Sequence, residues 1–300
     1  IICFSSFILG MPYLKSPPIR SALSYITGIT SPITKHNYLV QNVEDLPRII
    51  AEAFYIASTG RPGPVVIDIP KDVFVQDVQV AYDNGSVRNR VVLKYKPCQV
   101  NKEQVLKVAQ YLKDAEKPMM IVGGGVNNRL ENRDQLYRIA QQADMPVATT
   151  LMGRGVFPSG NAYDLGMPGM HGTVEANYTV QHCDCLLAVG MRFDDRVTSN
   201  VSSFAPNAKM IIHVDIDAAE IGKTITPNFP LVADSADFLD SLMEVLPQCS
   251  HKAWMEEVQQ SRYEIKSPVG SVLPPKETFA FYHLGNVNKL VTFCHRFAVI

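Results

Sequence analysis

Residues 166–196 read GMPGMHGTVEANYTVQHCDCLLAVGMRFDDR and gather glycines, two histidines and two arginines around one short apolar run. Glycine has no Cβ, so a backbone rich in it can approach a phosphate closely. A helix start adds unbonded N–H groups and the positive end of the helix dipole. PGMHGT (168–173), with Gly169, Met170 and His171, leads into a helix expected to start at about Val174. Four further segments follow expected strands: Gly123, Gly124 and Gly125; Thr150, Leu151, Met152 and Gly153; Gly190, Met191, Arg192, Phe193 and Asp194; and Asp215, Ile216 and Asp217. In an open parallel sheet, ligands bind beyond the carboxyl ends of the strands. An arginine there neutralises a pyrophosphate, a job for Arg192, and an aspartate accepts from ribose hydroxyls, a job for Asp215. The sum points to a dinucleotide such as FAD or NAD, although the GxGxxG fingerprint is absent.

Each feature has a plainer reading. Glycine turns after parallel strands also serve close packing. His171 alone fits a hydrogen-bonded loop residue, and RFDDR (192–196) fits a surface charge cluster. Met119, Met120 and Met191 read as core or pocket lining. No Ser–His–Asp order, zinc spacing or P-loop is present.

The elements that must position these residues alternate. Leu46, Ile49, Ile50, Ala53, Phe54 and Ala57 recur at helical spacing within 43–58, and TGRPGP (59–64) breaks that helix. VVIDIP (65–70) is apolar almost throughout, as in a strand buried on both faces. Helices are expected at 101–116, 132–144 and 174–183. Strands are expected at 118–122, 145–150, 186–193 and 208–217, with a last strand and helix in 230–246. Strands alternating with helices at this pitch give an α/β fold with a doubly wound parallel sheet. The reading by domain is 1–20 unassigned, 21–80 part of one α/β domain, 81–98 a linker and 99–247 a central domain. A Ser- and Pro-bearing linker follows at 248–272, and 273–300 start another domain.

Composition narrows the function. A net charge of −1 and scattered Lys and Arg argue against nucleic acid or an anionic membrane as partner. Six cysteines without CxxC spacing read as reduced core thiols, Cys183 and Cys185 among them. The apolar start, IICFSSFILGMPYL, is short for a membrane span.

ITSPITKHNYLV (29–40), TGRPGPVVIDIPKDV (59–73), LMGRGVFP (151–158), GMHGTVEAN (169–177), AVGMRFDDRVT (188–198) and HVDIDAAEIGK (213–223) together resemble the large, catalytic subunit of the acetolactate (acetohydroxyacid) synthases, which are thiamine diphosphate enzymes. The resemblance implies that 21–80 end a pyrimidine-binding domain, that 99–247 are a whole Rossmann-like, FAD-binding central domain, and that 273–300 open a diphosphate-binding domain. It implies flavin positions at Arg61, Gly124, Thr150, Leu151, Gly169, Met170, His171, Gly190, Met191, Arg192, Phe193, Asp194, Asp215, Ile216 and Asp234. It places Arg196, Lys71 and Met170 toward the 2-ketoacid pocket, where a guanidinium suits a carboxylate. The family's essential glutamate and its Mg²⁺-holding motif match nothing in these 300 residues. The chain therefore reads as a fragment with no catalytic or metal residue of its own, inactive alone and retaining at most FAD binding.

The parent reaction is the thiamine diphosphate-dependent condensation of two pyruvates, or of pyruvate and 2-ketobutyrate, with loss of CO2. It is the first common step of branched-chain amino-acid biosynthesis. Partners implied are a homodimer or larger assembly and a regulatory small subunit. The compartment implied is the cytoplasm of a bacterium or the plastid of a plant or alga. A non-catalytic nucleotide-binding module, or another thiamine diphosphate enzyme such as a pyruvate oxidase or glyoxylate carboligase, stands as the alternative.

Overall fold

The computed structural model describes residues 2–5, 27–77 and 100–266. The expected linker at 81–98 and the domain start at 273–300 lie outside the described residues. The chain divides into two compact units, 1–97 and 98–300.

The first unit holds β1 (Ile2–Ser5), β2 (His36–Leu39), α1 (Leu46–Ser58), β3 (Val65–Asp68) and a short α2 (Lys71–Phe74). The strands form a parallel sheet in the order β1-β3-β2, so four residues from the unassigned start take part in it. All four residues of β3 are buried, as the continuous apolar run requires, and Asp68 is buried with them. That burial pushes the Asp68 carboxyl above its usual range. Helix α1 turns Ile49, Ala53, Ile56 and Ala57 onto the sheet. Its last turn is held by Lys35, whose Nζ donates to Ile56 O at 2.6 Å and also to Thr59 O.

The second unit runs α3 (Lys102–Asp114), β4 (Pro118–Val122), α4 (Asn132–Ala143), β5 (Val147–Thr149), α5 (Val174–His182), β6 (Cys185–Val189), a short α6 (Asp195–Thr198), β7 (Met210–Asp215), β8 (Phe229–Val232), α7 (Ser235–Val245) and α8 (Lys252–Lys266). All five strands are parallel, in the order β5-β4-β6-β7-β8. The chain starts in β4, moves outward to β5, then crosses back to β6 and continues the other way. The switch point lies between β4 and β6, where open α/β sheets place their ligands.

Strand period 2 sorts the core into two layers. Met120 and Val122 face α3, α4 and α7 through Leu112, Ile139, Phe238 and Leu242. Met119 and Ile121 face the other side, with Ala176 and Val180 of α5 and Trp254 and Val258 of α8. Cys183 and Cys185 are buried free thiols at the α5–β6 junction, and burial pushes that of Cys185 up to about 12. Side-chain oxygens cap four of the helix starts. Asn101 accepts from Glu103 N, Thr173 from Ala176 N, Asp194 from Val197 N and Asp234 from Ala236 N. Asp184 accepts from the N–H groups of Glu116 and Lys117 at 2.9 Å each, which ties the start of β4 to the start of β6.

One expectation is corrected. Within 248–272, read as a linker, residues 252–266 form a helix packed on α5. Trp254, Met255 and Val258 fall on its buried side, and Trp254 Nε1 donates to Pro118 O at 2.9 Å. The sequence pattern hid this because its six apolar residues in fifteen, set among Glu, Gln and Lys, give no sustained helical stripe.

Among the described residues, no helix is long and apolar enough to cross a membrane. Because α8 closes one face of the central sheet, Trp254→Ala removes a whole buried indole. The expected loss is about 3–5 kcal/mol, measured by urea unfolding followed by circular dichroism, since Trp254 is the sole tryptophan. A loss under about 1 kcal/mol would mean that α8 is not part of the fold.

Candidate functional site

At the carboxyl ends of β4 and β6 the two backbones touch. Gly125 N–H donates to Gly190 O at 2.8 Å, and Gly123 N–H to Val189 O at 3.0 Å. A Cβ on Gly123 would lie 2.3 Å from Gly190 O, and one on Gly125 would lie 2.9 Å from Gly190 Cα. Gly190 itself holds φ +56°, where other residues are strained. Side chains are excluded at these three glycines, so the crest of the sheet at the switch point is backbone packed on backbone, with Met191 against Gly123. Gly124 opens the 3-10 turn on this crest, and a Cβ there would meet Met152 Cβ at 2.9 Å.

Beside the crest, Thr150 is buried and donates its N–H to Val122 O at 2.9 Å. The next two side chains, Leu151 and Met152, are each 72% exposed. They give an apolar shelf at the end of β5. After β6, Met191 and Phe193 turn inward and join the core, while Arg192 between them is exposed. Met191 and Phe193 thus present backbone, not side chain, on the outer surface. Asp194 turns back to cap α6.

The 169–173 turn leans on this segment. Met170 N–H donates to Arg196 O at 3.0 Å, and Gly169, at φ +97°, leaves so little room that a Cβ would sit 2.1 Å from the same oxygen. Met170 and His171 are exposed, as is Arg196, whose Nη1 lies 3.9 Å from Met170 Sδ. At the end of β7, Asp215 is nearly buried and its Oδ1 accepts from Asp217 N at 2.9 Å, with Ile216 half-buried between them. At the end of β8, Asp234 caps α7 and accepts from Asn128 Nδ2 at 3.1 Å. Arg61 and Lys71 belong to the first unit, where both are exposed, Arg61 in the turn after α1 and Lys71 at the start of α2.

Such a surface can hold an extended ligand that is anionic at one point and flat and apolar at another. The glycine crest and Arg192 suit the first, the Leu151–Met152 shelf the second. Among the described residues, no three His, Cys, Asp or Glu side chains gather to hold a metal ion.

Residues 105–242 match the family described as thiamine pyrophosphate enzyme, central domain. The chain is 42% identical over 260 residues to acetolactate synthase 2, chloroplastic, of Nicotiana tabacum, covering 84% of this chain and 38% of that protein. It is 48% identical over 223 residues to the acetolactate synthase of Mycobacterium bovis, covering 74% and 35%. It is 44% identical over 244 residues to the probable acetolactate synthase large subunit of Methanocaldococcus jannaschii, covering 80% and 40%. The chain is a homologue of the acetolactate synthases. It spans between 35% and 40% of the length of these three relatives.

On this central domain, three side chains that sequence alone did not single out hold the strand-end loops. Ser235 Oγ donates to Gly125 O at 2.8 Å. Asn177 grips Gly169, its Oδ1 accepting from the N–H at 2.7 Å and its Nδ2 donating to the carbonyl at 3.0 Å. His213, fully buried on β7, donates from Nε2 to Met191 O at 2.9 Å and sets its ring edge-on to Phe193. His213 and Asn177 both lie in quoted family stretches, HVDID and GMHGTVEAN, but neither residue type signals by itself that its partner is a loop backbone.

Two outcomes follow from this geometry. Gly169→Ala meets both the positive φ and the Arg196 carbonyl, so it is expected to cost about 2–3 kcal/mol in chemical denaturation. Gly155→Ala is the control. Its φ is +91° but a Cβ there meets nothing within 4 Å, so only the strain of about 1 kcal/mol is expected. Equal losses at the two sites would contradict the close approach.

Burial lowers the His213 imidazole below its usual range, against the pull of the Met191 carbonyl, Asp215 and Glu220. The unfolded chain therefore binds the extra proton first. The stability from neutral His213 is fully present above the unfolded value of about 6.5 and is lost as pH falls through the folded value, at up to about 1.4 kcal/mol per pH unit. Denaturation midpoints from pH 8 to 5 should show this slope, and His213→Gln should flatten it. An unchanged slope in the variant would exclude His213 as its source.

Proposed function

We propose that this chain supplies the FAD-holding central domain of an acetolactate synthase large subunit. The parent enzyme joins two pyruvates, or pyruvate and 2-ketobutyrate, with loss of CO2, a step of branched-chain amino-acid biosynthesis. The observation that carries the reading is the 42% identity to an acetolactate synthase over 260 residues. The glycine crest at the switch point supports the nucleotide part, since a pyrophosphate needs backbone it can approach closely.

In this reading the crest at Gly124 and Gly190 faces the pyrophosphate and Arg192 neutralises it. Thr150, Leu151, Gly169, Met170 and His171 line the flavin side, with backbone from Met191, Phe193 and Asp194. Asp215, Ile216 and Asp234 take the far end of the nucleotide. Arg196 and Met170 face the 2-ketoacid, whose carboxylate a guanidinium orients. The flavin, when bound, supplies no net redox change, because the condensation has none. Thiamine diphosphate with Mg²⁺ supplies the electron sink for decarboxylation, and no residue proposed here holds it. The parent works as a homodimer or larger assembly with a regulatory small subunit, in a plastid or a bacterial cytoplasm.

The test is a flavin titration of the purified chain, read by absorbance and by quenching of flavin fluorescence. Saturable binding is expected. Arg192→Ala, exposed and outside the core, should weaken it about tenfold or more without a change in stability, as for loss of a charge-assisted bond. Acetolactate should not form from pyruvate in the same samples. Steady acetolactate formation would overturn the division of labour. Absence of flavin binding in a folded chain would overturn the flavin assignment, and bleaching of bound flavin by pyruvate would point to an oxidase instead.

A further inference from the structure

Gly169 is held by one side chain from both of its polar groups. Asn177, on the first turn of α5, accepts from Gly169 N–H at 2.7 Å and donates to Gly169 O at 3.0 Å. Fixing both groups of one residue fixes its φ and ψ, which matters at φ +97°. Gly172 N–H also donates to Gly169 O at 2.9 Å, so the turn closes on the same carbonyl. Helix α5 is itself anchored. Thr173 caps it, donates its own N–H to Met167 O at 2.8 Å and sends its hydroxyl to Leu165 O.

The far side of Gly169 is Arg196. The glycine packs on the Arg196 carbonyl, and the Met170 N–H donates to that carbonyl at 3.0 Å. A continuous path of contacts thus runs from α5 through Asn177 and Gly169 to the backbone of Arg196. Only an amide fits the near end of this path. Aspartate lacks the donor, serine lacks the paired geometry, and glutamine is one methylene longer.

We propose that Asn177 is a positioning residue that makes the 169–171 turn and Arg196 one rigid piece, so that the flavin side and the 2-ketoacid side of the site keep a fixed relation. The inference rests on the roles proposed above for those two segments. It assigns to Asn177 no contact with either ligand.

The experiment is amide hydrogen exchange of the whole chain, with and without FAD, for the wild type, Asn177→Ala and Asn177→Asp. In Asn177→Ala, exchange should rise about tenfold in peptides covering 165–175 and also in those covering 192–200. Strands β4 and β6 should keep wild-type rates, and flavin affinity should fall by a similar factor. Asn177→Asp keeps the acceptor for Gly169 N–H and should fall between, on both readouts. If Asn177→Ala does not fold, the same comparison is made on Asn177→Asp. Unchanged exchange in 192–200 would overturn the proposal, because the turn would then loosen without Arg196. So would faster exchange with unaltered flavin affinity. If the wild type takes up no flavin, the flavin reading fails by itself, and exchange in 192–200 still decides whether Asn177 joins the two segments.

Discussion

The contact on which the second unit depends is backbone against backbone, Gly125 N–H to Gly190 O at 2.8 Å. It lies where the chain has reversed its direction across the sheet, between the first and third strands of the unit. Two parallel strands 4.7–4.9 Å apart leave no space above their ends for opposed side chains unless the loops splay. Here they do not splay. Glycines at 123, 125 and 190 let the loops stay in contact, and the result is a crest of backbone packed on backbone. The packing need at these positions leaves room for the proposed ligand role, so the plain and the functional readings of the glycines do not compete.

Around that crest the loops are held by polar side chains on regular elements. Ser235 reaches Gly125 from α7, His213 reaches Met191 from β7, and Asn177 reaches Gly169 from α5. Each supports loop backbone from a helix or strand fixed by its own apolar face. Holding a site through buried or half-buried partners on rigid elements limits how far its loops can drift before a ligand arrives.

The sheet was legible because its strands are unbroken apolar runs and most of its helices repeat apolar residues at period 3.6. Five apolar residues in a row at β4 and five at β6 can only be doubly covered strands, and the helices between them carry clear stripes. The strand-end glycines and Arg192 could be picked out for the same reason, since topology alone makes strand ends the place to look. Helix α8 was not legible, because its buried stripe is Trp254, Met255 and Val258 in a polar surround. Nor were Ser235, Asn177 and His213. Their partners are 110, 8 and 22 residues away, and a hydrogen bond to a distant carbonyl leaves no periodic trace. The inward turn of Met191 and Phe193 was half legible, since their alternation with Arg192 continues the strand pattern for three residues past its end.

The most direct test of the account is a map of which backbone amides respond when FAD is added to the isotope-labelled chain. The account predicts shifts confined to one end of the sheet, at 123–125, 150–152, 169–171, 190–194, 215–217 and 234, with the starts of β4, β6 and β7 silent. Shifts centred instead on the opposite end of the sheet, around 116–118, 184–185 and 208–210, would contradict the claim that the switch-point crest is where this chain holds its ligand.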